Sequence, residues 1–214
     1  MDIEEIKKMI ELMAIQPETI VAGIDLAASP KRSTGVCLLS GKKVLDSREI
    51  HSDEEIVSYT TAVTVNLAAV DAPLSLPPGR NDIDEPGEEH FRRCDHMLSE
   101  RGIKFFPVTL GPMRDLTRRG MRLKTIFEQQ GVRTVEVYPG ASQDVWGIAR
   151  KKQGLDKLRS GLTELGIEGL KDNMSEHELD AISGAYTGYL FLFGQAEILG
   201  DFDSGAIIIP KVEP

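Results

Sequence analysis

Hydrophobic positions change period several times along the chain, and each change marks an element. Ile3, Ile6, Ile10 and Met13 recur at 3/4 spacing with Glu4, Glu5, Lys7, Lys8 and Glu11 between them, which predicts an amphipathic helix over residues 2–14, ended by Gln16-Pro17. Its apolar stripe suits packing on the chain's own domain. Val21-Ala22-Gly23-Ile24 then reads as a strand that ends in Asp25. A polar loop leads to Gly35-Val36-Cys37-Leu38-Leu39, and Gly41 turns the chain tightly into Val44-Leu45 and on to Ile50. Three strands with such short connections predict an antiparallel meander. A short helix is expected over 53–63, and the run Leu67-Ala68-Ala69-Val70 again ends in an acid, Asp71. Pro73, Pro77, Pro78 and Gly79 break the chain and open an acidic loop through Asp82, Asp84, Glu85, Glu88 and Glu89. Helices follow over 89–101 and 113–130, the second stopped by Gly131. Residues 132–137 form a fifth strand ended by Pro139-Gly140. Two more helices are expected over 156–165 and 175–193, and Ala206 to Ile209 make a short edge strand closed by Pro210.

Strands alternating with helices in the second half imply parallel pairing there. The apolar runs before Asp25 and Asp71 do not alternate, which suits central strands covered on both faces. The expected fold is α/β: a mixed sheet of three antiparallel strands then two parallel ones, with helices on both faces. That is the element order of the RNase H-like fold. At 214 residues with no linker-like stretch, one domain over 19–214 behind the N-terminal helix of 1–18 is the natural division.

Composition narrows the function classes. Hydrophobic residues at 41% and charged residues at 28% are ordinary for a globular protein. The two cysteines, Cys37 and Cys94, have no CxxC or Cys/His spacing, so zinc and redox motifs are unsupported. The opening MDIEEIKKMIELM carries acids where a secretion signal has its basic segment, and a cytoplasmic protein is expected. A formal net charge of −9 argues against indiscriminate nucleic-acid binding but not against a local basic strip beside an acidic centre.

The acids carry the candidate chemistry. Asp25 and Asp71 each follow a buried apolar run. On parallel neighbouring strands they emerge at the edge where open α/β sheets bind ligands. Carboxylates crowded in a partly buried site repel, and a hard divalent cation resolves the cost. Each alone also suits a turn former; the pair is the specific signal. In SEHELDAISGAYTG, Ser175 and Glu178 fit a capping box, which gives Glu178 a structural task. Asp180 lies inside that helix in line with Gly184 and Gly188, so the helix can approach a sheet closely with its carboxylate aimed inward. His177, one turn earlier, reads as a neighbour of the site or as an exposed first-turn residue. Glu136, in a predicted buried strand, needs a metal or a cationic partner such as Arg93.

Taken together, VAGIDLAAS, VDAPLSLP, FRRCDHML, LTRRGMRLK, VEVYPGA and HELDAISGAYTG resemble, in that order, the domain-of-unknown-function family numbered 429. That family is described as RNase H-like predicted nucleases related to RuvC-type resolvases. The resemblance spans roughly residues 20–210. It implies a first-strand acid at Asp25, a fourth-strand acid at Asp71 and a late-helix acid at Asp180, with Glu136 on a recurring Glu-apolar-aromatic-Pro stretch. Only Glu176, His177 or the capping Glu178 offers a second acid or ligand near the late-helix position.

The expected activity is phosphodiester hydrolysis with Mg²⁺ or Mn²⁺ as cofactor, Asp25, Asp71 and Asp180 as ligands, and Glu136 as a further catalytic candidate. Asp25 would bridge two ions about 4 Å apart. Nucleic acid would be gripped by Lys31 and Arg32 near Asp25 and by Arg114, Arg118 and Arg122, which share one helix side with Arg119 and Lys124 flanking them. Arg150-Lys151-Lys152 makes a second basic cluster. DNA and RNA, and monomer and homodimer, are all compatible with these residues. The rival readings are a scaffold that kept the fold without the chemistry and, more remotely, an actin-like phosphotransferase. The second needs two lobes, and this chain holds one.

Overall fold

The computed structural model describes residues 19–211; the amphipathic helix expected over 2–14 lies outside them. Strands β1 (Ile20–Asp25), β2 (Thr34–Ser40) and β3 (Lys43–Ile50) come first, then helix α1 (Asp53–Thr61) and β4 (Leu67–Asp71). Helices α2 (Arg93–Glu100) and α3 (Gly111–Gln129) precede β5 (Thr134–Val137). Helices α4 (Pro139–Val145), α5 (Leu155–Glu164) and α6 (Glu176–Leu192) precede β6 (Ala196–Asp201) and β7 (Gly205–Pro210). Among the described residues no helix is long and apolar enough to cross a membrane.

All the described strands join one sheet in the order β3-β2-β1-β4-β5-β7-β6. The meander β1-β2-β3 is antiparallel, and β1, β4, β5 and β7 run parallel. The order β3-β2-β1-β4-β5, with β2 alone reversed, is the RNase H-like arrangement. The expected sheet is extended by a hairpin. The apolar run at 206–209 is not an edge strand: β7 is buried along its whole length between β5 and β6. Its continuous Ile run is the mark of a strand covered on both faces. The edge is β6, whose Glu197 and Gly200 break any apolar pattern. The hairpin is pinned where Asp201 accepts from the Asp203 and Ser204 amides and Gly205 takes φ +121°.

Successive strand residues face opposite sides, which divides the core. Val21, Cys37, Ala69, Val135 and Ile208 pack against Leu179, Ile182 and Ala185 of α6. Ala22, Ile24, Val36, Ala68 and Val70 pack against Leu123 and Phe127 of α3 and Ile56 of α1. Helix α6 presses closely on the sheet: a Cβ at Gly23 would lie 1.9 Å from the Ala181 carbonyl oxygen, and one at Gly35 2.0 Å from that of His177. Gly188 likewise meets Ala69. Because the obstacle is backbone, Gly23→Ala is expected to lose more than about 3 kcal/mol, the upper end of ordinary overpacking. Urea unfolding checks this, and an unchanged midpoint would contradict it.

Candidate metal centre

The sheet register brings the first two acids together. Asp25 is the lateral partner of Asp71 in the parallel β1–β4 ladder, on strands about 4.8 Å apart. Alternation places both side chains on the face of Val21 and Gly23, the one covered by α6. From that helix Asp180, 5% exposed, is aimed at the same edge. Gly184 and Gly188 continue its line along the sheet, and a Cβ at Gly184 would touch Val137. The helix begins as the capping box requires, with Ser175 and Glu178 bonding each other's backbone amides. Glu178 also accepts from the Ser47 hydroxyl, so it is fully occupied as a structural residue.

Two of the carboxylates, Asp180 and Asp25, are held by neighbours that sequence reasoning missed or misjudged. Gln143 of α4 donates from Nε2 to Asp180 Oδ1 at 2.7 Å and to the Ser183 hydroxyl at 3.1 Å. The Lys151 ammonium lies 2.9 Å from Asp180 Oδ2 and 3.6 Å from Glu176. His177 Nδ1 donates to Asp25 Oδ2 at 2.7 Å. Burial, then the charges of Asp25 and Asp180, push the Asp71 carboxyl well above the usual carboxylate range. Burial and Asp25 push Asp180 up as well. The hydrogen bond to Asp25 raises the His177 imidazole above its ordinary value. Gln143→Ala, which frees the Asp180 carboxylate to rotate, is expected to weaken metal binding or activity by about 10- to 100-fold; an Mn²⁺ titration of that variant checks it.

Glu136 lines the same cavity as these acids but is bonded to none of them. Its lateral partner is Val70, so its side chain lies on the α3 face of the sheet, opposite to Asp25 and Asp71. There it accepts two hydrogen bonds from Arg92, at 2.7 and 2.8 Å, and one from the Leu74 amide at 2.8 Å. Arg92 also takes Asp95 and the Ser75 hydroxyl. Burial works against the Arg92 charge, but Glu136 and Asp95 outweigh it and raise its pKa well above the ordinary value. Of the two expectations for Glu136, the ion pair is the observed one, and the partner is Arg92. Arg93, one residue on, is exposed and lies 4.0 Å from Asp201.

The proposed cationic grips lie apart from the acids. A cavity of about 350 Å³ opens on Asp25, Asp71 and Asp180, with apolar walls that include Phe105, Phe106, Met113 and Tyr138. Its cations are Arg92, Arg150, Lys151 and Lys152, and none of Lys31, Arg32, Arg114, Arg118 or Arg122 lines it. Lys31 and Arg32 are exposed in the loop after β1. Arg114 donates to the Thr109 carbonyl, Arg118 pairs with Asp84 and Asp115, and Arg122 pairs with Asp53. The flanking Arg119 is not part of a strip at all. It is 4% exposed and ties the Ala27 and His51 carbonyls to Asp53. It thereby fixes the loop that follows Asp25.

Three hard carboxylates, those of Asp71 and Asp180 with raised pKa values, form a donor set that suits Mg²⁺ or Mn²⁺. Two of their oxygens now face Lys151 and His177, and among the described residues no three acid, His or Cys side chains already enclose an ion position. Signals for the missed residues were present in part. Pro139 is a good first residue for a helix, and α4 starts there, which carries Gln143 into the site.

The fold and this cluster define a mixed-sheet α/β protein of RNase H-like topology with acids gathered at the carboxyl ends of two central strands. No protein-family model matches the chain, so the family resemblance rests on the motifs themselves, and no curated protein matches it. Among solved structures it is similar to RuvC of Thermus thermophilus, with a TM-score of 0.48 and 12% identity over 82% of this chain and 97% of that one. It is also similar to T. thermophilus RuvC in complex with a Holliday junction substrate, with a TM-score of 0.47 and 13% identity over the same shares.

Proposed function

We propose that this chain is a divalent-metal-dependent nuclease that hydrolyses phosphodiester bonds at the Asp25–Asp71–Asp180 edge. The observation that carries the reading is the lateral pairing of Asp25 with Asp71 on parallel strands, with Asp180 aimed at the same edge from a helix pressed on their face. Buried carboxylates that repel one another are costly unless a cation joins them. A bound Mg²⁺ or Mn²⁺ supplies Lewis acidity toward a phosphoryl oxygen and activates water.

The chain's own residues do the rest. Asp25, Asp71 and Asp180 hold the ion, and Gln143 fixes the rotation of Asp180. Lys152, exposed at the cavity, meets a substrate phosphate, as cations do in positioning a nucleic-acid backbone. The resemblance of its motifs to the 429 family is in keeping with this activity. The acidic loop is folded back on itself: Arg80 donates to the carbonyls of Glu85, Gly87 and Glu89, and Arg118 holds Asp84. Its charge, with a net charge of −9 for the chain, favours weak, structure-selective binding that falls steeply with salt.

A second reading, a binding protein without catalysis, draws on the protein cations that already occupy Asp180 and Asp25. Cleavage of branched, single-stranded and duplex substrates in Mg²⁺ or Mn²⁺, with Asp25→Asn as control, separates the two. The nuclease reading expects metal-dependent cleavage that disappears in the variant. Equal cleavage by both proteins would sink it, and tight binding with no cleavage would favour the scaffold.

A further inference from the structure

Lys151 stands where surface charge patterning does not lead one to look. In sequence it belongs to a basic cluster, Arg150-Lys151-Lys152, of the kind that normally faces solvent. In the fold its ammonium is turned inward onto Asp180, with Glu176 on its other side. The backbone beneath it is fixed. Arg150 is anchored by Asp144 and the Tyr138 hydroxyl, and its amide donates to Gln153 across the turn Lys151–Gln153. Gly154, at φ +126°, ends that turn. What remains free to move is the four-carbon stem of Lys151, whose compact point charge needs no fixed orientation.

We propose that Lys151 is the resident cation of this site: its ammonium holds the carboxylate cluster together in the metal-free protein and competes with the divalent ion for Asp180. This rests on the reading of the three acids as metal ligands. Three observations converge on it. The carboxylate oxygen facing Lys151, Oδ2, is the one that Gln143 leaves unbonded, since Gln143 holds Oδ1. The same ammonium lies 3.6 Å from Glu176, so it stands between two carboxylates. Lys151 also lines the cavity on which Asp25 and Asp71 open. One protein cation thus sits on Asp180 at the edge where carboxylates otherwise repel. An ion entering the cluster must displace it from Asp180, and the stem swings it toward Glu176 and the cavity, which both Lys151 and Lys152 line. Lys151 is therefore a positioning residue that sets metal affinity.

The test is an Mn²⁺ titration by calorimetry on the full chain, comparing wild type with Lys151→Met and Lys151→Arg, together with melting temperatures with and without the ion. Removing a cation from contact distance is expected to tighten Mn²⁺ binding by roughly tenfold or more. Lys151→Met should melt lower than wild type without metal and recover when Mn²⁺ is added; Lys151→Arg should keep affinity near that of wild type. Lys151→Gln supplies the same comparison if the Met variant does not fold. A purely structural lysine would lower the melting temperature equally with and without Mn²⁺ and leave affinity unchanged. That result, weaker binding in the Met variant, or no binding by any of the proteins would overturn the proposal. Tighter binding by Lys151→Met with no cleavage by any protein would uphold Lys151 as competitor and reject the nuclease. Cleavage with equal Mn²⁺ affinities would do the reverse.

Discussion

Asp71→Asn is expected to abolish metal-dependent cleavage, by about 10³-fold or more, while making the metal-free protein more stable. The first effect follows from losing one hard ligand and its part in several kcal/mol of charge stabilisation, at 1.36 kcal/mol per factor of ten. The second follows from the sign of its pKa shift. Burial, Asp25 and Asp180 raise the Asp71 pKa above its unfolded value. A raised group contributes stability that is fully present below the unfolded pKa, about 3.9, and lost as pH rises through the folded pKa. At neutral pH Asp71 therefore costs the metal-free fold stability, as a buried anion or by taking up a proton on folding, and an uncharged asparagine does not. Urea midpoints of the two metal-free proteins should diverge as pH is raised from about 4 toward neutrality, with the variant higher. A variant less stable than wild type at neutral pH would show that Asp71 is held by a partner instead of repelled by its neighbours.

Arg92→Met should be the most damaging single change outside the metal centre. Arg92 is 1% exposed and is the cation between Glu136 and Asp95, themselves 6% and 2% exposed. Removing it leaves two buried carboxylates without a cationic partner, which costs about 3–5 kcal/mol. For a domain of this size that lowers the melting temperature by roughly 10 °C. A second change, Glu136→Gln, should recover part of the loss in the Arg92→Met background, since one uncompensated charge is then gone. A loss below about 1 kcal/mol, the value of an exposed pair, would contradict the arrangement. Glu136→Gln alone should leave Mn²⁺ affinity near that of wild type, because its carboxylate oxygens are already taken by Arg92 and the Leu74 amide.

The meeting of Asp25, Asp71 and Asp180 at one sheet edge was legible in the sequence because their positions are set by local rules. An apolar run that does not alternate marks a central strand, and the residue that ends it lies at the carboxyl edge; Asp25 and Asp71 satisfy this twice. Asp180 followed from the glycine line it shares, which only a helix pressed on a sheet requires. Glu178 was legible as a cap because both halves of the motif lie within four residues. What escaped were pairings across long sequence separations. Nothing local distinguishes Arg92 from Arg93 as the partner of Glu136; the start of α2 decides it, by burying the first at the helix cap and turning the second outward. Arg119 looked like one more exposed cation on a basic helix until the corner carrying Ala27, His51 and Asp53 closed over it. Lys151 is the same case with functional weight, since its contact with Asp180 needs the whole α4–α6 segment to be folded. The β6–β7 hairpin was misread for a different reason. Sequence order suggested that the last strand is an edge, whereas β7 inserts beside β5 and leaves β6 outside.

The central claim is that Asp25, Asp71 and Asp180 form one site for a catalytic divalent ion. Electron paramagnetic resonance of Mn²⁺ titrated into the protein tests it most directly, because free and bound ion are counted separately. The account predicts saturable Mn²⁺ binding by wild type that disappears when Asp25→Asn and Asp180→Asn are combined and that persists in Glu136→Gln. Undiminished binding by the Asp25→Asn, Asp180→Asn protein would contradict it.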